Sequence, residues 1–108
     1  MSYHSITVPT NGQKITHDAH GHCVVPNKPI IPFIEGDGIG VDITPVMRAV
    51  VDHAVKKAYG GDKAIAWMEI YAGDKAVTVY GANQYLPEET LQAIRDFKVA
   101  IKGPLSTP

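Results

Sequence analysis

Ile30-Ile31-Pro32-Phe33-Ile34 is a nearly continuous apolar run that empties into a turn with glycine at every second position, Gly36, Gly38 and Gly40. Five apolar residues are too few for a buried helix and suit a strand covered on both faces. Pro32 cannot donate to a ladder, which argues against a central position in the sheet. A helical period follows the turn. Met47, Val50, Val51, Ala54 and Ala58 recur at three- and four-residue spacing and define one apolar face. Asp42 or Thr44 is the expected cap, with Pro45 tolerated in the first turn. Lys56 and Lys57 suit the last turn, and Gly60-Gly61 stops the helix.

The alternation then repeats. Residues 64–71 (Ala64 to Tyr71) are β-prone, 72–85 form a connection with no clear period, and 86–97 begin with Pro87, Glu88 and Glu89, the preferred content of a first helical turn. Leu91 and Ile94 are the expected inner face of that helix. Val99-Ala100-Ile101 is a short third strand, followed by Lys102-Gly103-Pro104-Leu105-Ser106-Thr107-Pro108. Strand, helix, strand, helix, strand is the signature of an α/β sheet with parallel pairs. Both the glycine turn and the 102–108 loop follow strands, so they are expected at one edge of the sheet, where such folds hold ligands.

Residues 1–28 are polar and turn-rich, and read as an N-terminal arm, with the regular body at 29–108. Ser5 to Val8 and His22 to Val25 are β-prone and suggest a loose hairpin outside the main core. His17, His20 and His22 lie close in this arm beside Cys23, but no helix preorganises them, and a solvated loop is the expected reading. A single cysteine excludes an internal disulfide and fits a reducing compartment. A formal net charge of -1 gives no general attraction to nucleic acid or to an acidic membrane surface. No apolar run is long enough for a membrane span, and the first residues do not read as a signal peptide. A cytoplasmic protein is expected.

The glycine turn is not a dinucleotide fingerprint. In a G-x-G-x-x-G pattern starting at Gly36 the last glycine would fall at position 41, which is Val41. By spacing alone the turn is a tight strand-to-helix connection. The loop that ends the chain carries two adjacent hydroxyls, Ser106 and Thr107, between prolines, and such groups bond a carboxylate, a phosphate or an amide without charge.

Four blocks of this chain resemble, in order, the opening of bacterial NADP-dependent isocitrate dehydrogenases of the β-decarboxylating dehydrogenase family. They are Pro29 to Pro45, Trp67 to Gly73, Leu86 to Leu91 and Val99 to Pro108. The resemblance implies an α/β fold of the isocitrate/isopropylmalate dehydrogenase type, distinct from a Rossmann domain and only partly present here. It implies hydride transfer from the hydroxyl carbon of isocitrate to NADP⁺, with Mg²⁺ or Mn²⁺ polarising the new keto oxygen as CO₂ leaves. A cytoplasmic homodimer acting in the tricarboxylic acid cycle and glyoxylate bypass is also implied.

Residue by residue, Ser106 matches a cofactor-contacting threonine and Thr107 the next one, beside nicotinamide and substrate. Ser106 keeps the hydroxyl but loses a methyl relative to the usual Thr-Thr pair. Ile39 matches a position against the cofactor, and Lys102 a lysine close to the active site. The family's proton-moving residues and metal ligands match nothing in these 108 residues, so a truncated or fragmentary chain, inactive by itself, is expected. Two alternatives stand beside this reading. One is an NAD-linked or 3-isopropylmalate dehydrogenase segment, against which the polar arm counts. The other is a non-catalytic module that pairs through an open sheet edge.

Overall fold

In the computed structural model, which describes residues 3–106, strand β3 (Ile30–Ile34) is the middle of a three-stranded parallel sheet. Ahead of it in the chain, β1 (Thr16–His17) and β2 (Cys23–Val24) form a small antiparallel hairpin. After it come α1 (Gly40–Tyr59), β4 (Ala66–Ile70), α2 (Asp74–Tyr80), α3 (Glu88–Phe97) and β5 (Ile101–Lys102). β4 pairs with β3 along its whole length, from Ile30 opposite Ala66 to Ile34 opposite Ile70. On the other side β5 pairs only at Phe33–Ile101 and Ile34–Lys102. The α/β class with parallel strands is as the sequence predicts.

Pro32 is central after all, and strand parity explains why it is tolerated. The Pro29 carbonyl accepts from Ala66 N on β4, whereas the Ile34 carbonyl accepts from Gly103 N just past β5. Even-numbered residues of β3 therefore direct their backbone groups to the β5 side. At the lower end of that side Ile30 N donates to the Gln13 carbonyl of the arm, and at the upper end β5 takes over. Pro32 falls between these two partners, where its missing N–H breaks no long ladder.

Helices cover both faces of the sheet. On one face Ile30, Ile34, Ala66, Met68 and Ile70 pack with Ala93 and Phe97 of α3. On the other, the guanidinium of Arg48 in α1 lies 4.5 Å from the centre of the Phe33 ring and 5.7 Å from that of Trp67, and Trp67 Nε1 donates to Asp52 at 2.8 Å. The inward face of α1 consists of Thr44, Met47, Arg48, Val51 and Val55, rotated from the purely apolar stripe expected. Val50 is 62% exposed and Ala54 and Ala58 are also exposed. An arginine stem and cation replace aliphatic contact over two aromatic rings, and an apolarity count cannot register that. Neither expected cap forms. Ile39 holds the N-cap position without a side-chain bond, and Thr44 instead donates to the Glu35 carbonyl at 2.7 Å.

Two other elements differ from expectation. The connection 72–85 contains α2, seven residues long and rich in β-branched Val77, Thr78 and Val79, which weakens any helical signal. In α3 the buried positions are Thr90, Ala93 and Phe97, with Leu91 and Ile94 half-buried beside them. Thr90 tolerates full burial because its hydroxyl donates to the Tyr71 carbonyl at 2.6 Å.

The hairpin forms in the arm but pairs residues 16–17 with 23–24; Ser5 to Val8 form no strand. The arm also reaches the core, since Ile6 and Ile15 are each 5% exposed and Ile6 belongs to the α3-side cluster. Glu89 of α3 holds the arm's backbone. His4 N donates to its Oε1 at 2.6 Å, Ser5 N to its Oε2 at 2.9 Å, and the Tyr80 hydroxyl also donates to Oε2. Burial pushes the Glu89 carboxyl up, but the Tyr80 hydroxyl and the Ser5 and His4 amides outweigh it and leave the group below its ordinary value. The stabilisation is therefore present above the unfolded carboxylate pKa and is lost as pH falls through the lowered folded value. Glu89→Gln is expected to cost about 1–2 kcal/mol at neutral pH, with variant and parent converging in acid. Urea midpoints across a pH series check this; a gap unchanged by acid would mean that charge on Glu89 does not hold the arm.

Candidate functional site

The turn after β3 and the segment after β5 cross at van der Waals distance. Asp37 N donates to the Pro104 carbonyl at 2.7 Å. Gly36 has φ +94°, and a Cβ there would stand 2.4 Å from the Pro104 oxygen. A Cβ on Gly103 would stand 2.3 Å from the Glu35 oxygen. Gly36 and Gly40 thus serve a backbone crossing between the two loops, while Gly38 faces open space, in keeping with the failure of the turn to match a dinucleotide fingerprint.

Asp37, 8% exposed, joins a third element to this crossing. Its Oδ2 accepts from Asp74 N at 3.1 Å and from Ser106 N at 3.2 Å, and its Oδ1 accepts from Lys75 N at 3.4 Å. Burial pushes this carboxyl up; the amides of Asp74, Ser106 and Lys75 overcome that and hold it below its ordinary value. Beside it, Lys75 Nζ bridges Glu35 at 2.9 Å and Glu69 at 2.5 Å. Burial pulls the Lys75 ammonium down, and the two carboxylates more than restore it, so it stays protonated. The end of β3, the end of β4 and the start of α2 are tied by this one cation.

Of the residues singled out in the sequence, Ser106 is exposed at its side chain and held by its amide to Asp37. Thr107 lies outside the described residues. Ile39 is 67% exposed at the start of α1. Lys102 is exposed on β5, with its ammonium donating to the Gly103 carbonyl at 2.9 Å. The two loops therefore share one edge of the sheet, as expected. Asp37 and the Glu35–Lys75–Glu69 cluster escaped the sequence reading. The only hint is an acid set between two glycines, and the bonds that give it a role span 37, 38 and 69 residues of chain.

This edge offers the exposed apolar side chain of Ile39, the exposed Ser106 and two ammonium groups, that of Lys102 and the ion-paired one of Lys75. That donor set fits the carboxamide-bearing nicotinamide end of a dinucleotide, which carries no phosphate. It fits the phosphates less well, because the opening amides of α1 are engaged: Gly40 N with the Asp37 carbonyl, Val41 N with that of Gly38 and Asp42 N with that of Ile39. Among the described residues no group of three or more His, Cys, Asp or Glu side chains is arranged to hold a metal, so a divalent cation does not fit this set. In the hairpin Asp18 Oδ1 accepts from the backbone of His20 and His22, at 2.8 and 2.9 Å, and His17, His20, His22 and Cys23 are all exposed. Among the described residues no helix is long and apolar enough to cross a membrane.

Residues 30–108 match the family described as isocitrate/isopropylmalate dehydrogenase. Over its full 108 residues the chain is 62% identical to an NADP isocitrate dehydrogenase of Pseudomonas aeruginosa and 59% identical to one of Coxiella burnetii, covering 26% and 25% of those proteins. Across 106 residues, 98% of the chain, it is 58% identical to the NADP isocitrate dehydrogenase of a Nostoc species, of which it covers 22%. The chain spans about a quarter of the length of these curated relatives. With a parallel sheet, helices on both faces and two loops crossing at one sheet edge, these likenesses show that the chain belongs to the isocitrate/isopropylmalate dehydrogenase family.

Proposed function

We propose that these 108 residues supply the nicotinamide-side wall of an NADP-dependent isocitrate dehydrogenase, which converts isocitrate to 2-oxoglutarate and CO₂. The observation that carries this is the Asp37-anchored loop, which presents Ser106 beside the glycine turn. NADP⁺, when bound, supplies the hydride acceptor. In this reading Ile39 packs against the cofactor and shields it from water. Ser106 and Thr107 donate neutral hydrogen bonds toward cofactor and substrate, and Lys102 lies close to the active site. Ser106 leaves the ring slightly less crowded than threonine would. Residues 1–28 serve as an arm to the body 29–108. Ligands for Mg²⁺ or Mn²⁺, and the groups that move protons, belong to other parts of the enzyme. A cytoplasmic homodimer in the tricarboxylic acid cycle completes the reading.

A chimera tests it, with these residues replacing the corresponding quarter of the Pseudomonas aeruginosa relative. The chimera is expected to reduce NADP⁺ with isocitrate, and the 108-residue chain alone to show no turnover. Thr107→Val in the chimera should lower kcat/KM by about 1–3 kcal/mol, the worth of a hydrogen bond at the reacting centre. Unchanged kinetics in that variant would remove the hydroxyls from the site.

A second reading rests on β5, an edge strand with exposed Ile101 beside an exposed Val99. Such an edge recruits other strands. Concentration-dependent association of the isolated chain by size exclusion, together with an inactive chimera, would favour the edge-pairing module.

A further inference from the structure

Three backbone segments meet at the Asp37 carboxylate: the glycine turn that carries it, the opening amides of α2, and the loop after β5. Backbone bonds alone already tie the turn to the loop as far as Pro104. Beyond Pro104 the chain must still be aimed, and the Ser106 amide is bonded to Asp37 Oδ2. The carboxylate is buried and bonded by amides, while the neighbouring Lys75 ammonium is committed to Glu35 and Glu69. A buried carboxylate surrounded by N–H donors is a rigid acceptor, because moving it would strand several donors at once. Gly73 shows how closely the surroundings are fitted to it. A Cβ on that residue would stand 2.3 Å from Asp37 Oδ2.

We infer that Asp37 is a positioning residue: its carboxylate sets where Ser106 stands relative to the glycine turn. The inference rests on the reading of the Ser106 hydroxyl as a cofactor contact. A residue that only capped α2 would leave Ser106 indifferent to it. A residue that positions the loop couples Ser106 to α2 through one titrating group. Other ionisable groups on the elements around the turn are Glu35, Asp42, Glu69, Asp74, Lys75 and Lys102. Asp37→Asn separates their titrations from that of Asp37.

The test is an amide NMR titration of the 108-residue chain. In the parent, the Ser106, Asp74 and Lys75 amide signals are expected to move together with a single midpoint below the ordinary carboxylate range. In Asp37→Asn that shared movement is absent from all three, and hydrogen exchange at Ser106 is about tenfold faster or more. If Asp74 and Lys75 follow Asp37 while Ser106 does not, the carboxylate is a helix cap only and the inference fails. It fails equally if the parent shows no common midpoint. Should the Asn variant not fold, the parent titration decides alone, with Gly73→Ala as a second perturbation that displaces the carboxylate without changing its charge. No turnover enters this test, so an inactive chimera overturns the proposed function separately.

Discussion

Gly36→Ala is expected to destabilise the chain by about 3 kcal/mol or more, whereas Gly38→Ala, two residues along the same turn, should cost only about 1–2 kcal/mol. Both glycines have positive φ, +94° and +55°, so an added side chain meets backbone strain at each. They differ in what the new methyl touches. At Gly38 nothing lies within 4 Å, while at Gly36 the Pro104 carbonyl oxygen lies 2.4 Å away and belongs to backbone. That oxygen also accepts from Asp37 N, so it cannot retreat without breaking the bond between the two loops. The excess at Gly36 therefore combines the clash at the crossing with the greater strain of φ +94°, which lies outside the left-handed well that +55° occupies. Urea unfolding of both variants gives the comparison. Equal costs would mean that the loops are free to part, and the edge would then be too loose to hold a cofactor.

How much of this was legible in the sequence depends on the range of the interactions. The β3 run, its glycine turn and the α/β alternation are local patterns, and they led to the right class and to the right sheet edge for Ser106. Pro32 was misjudged because its tolerance depends on which side its nitrogen faces and on Gln13 approaching from the arm. The inward face of α1 was misjudged because Arg48 packs on two rings from another part of the chain. α2 was missed because its β-branched residues suppress helical propensity, while Ala76, fully buried, is held by tertiary packing. Asp37 was missed for the same kind of reason as Pro32. Each of its three bonds depends on a fold already formed.

Phe97→Ala is expected to cost about 3–5 kcal/mol, the usual range for a buried aromatic, and to loosen the N-terminal arm along with the core. Phe97 is 1% exposed at the end of α3, in the cluster that includes Met68, Ile70 and Ile6. The arm touches its ring directly as well. Tyr3 stacks at a tilt with ring centres 6.5 Å apart, and Lys14 Nζ lies 5.0 Å from the ring centre. Tyr3 is also bonded through its hydroxyl to Asp96 at 2.8 Å, so the contact between arm and helix is polar on one side and aromatic on the other. Phe97→Leu separates these roles. Leucine fills most of the space, and the loss should fall to about 1–2 kcal/mol, but it offers neither a ring for Tyr3 nor a π-face for Lys14. Urea unfolding gives the stability, and amide exchange at Ile6 and Ile15 gives the arm. The Ala variant is expected to raise exchange in both the core and the arm; the Leu variant should raise it chiefly in the arm. If neither variant changes exchange at Ile6, the arm is held by its other contacts, among them Glu89, Asp96 and the Gln13 backbone, and the aromatic contact contributes packing without tethering.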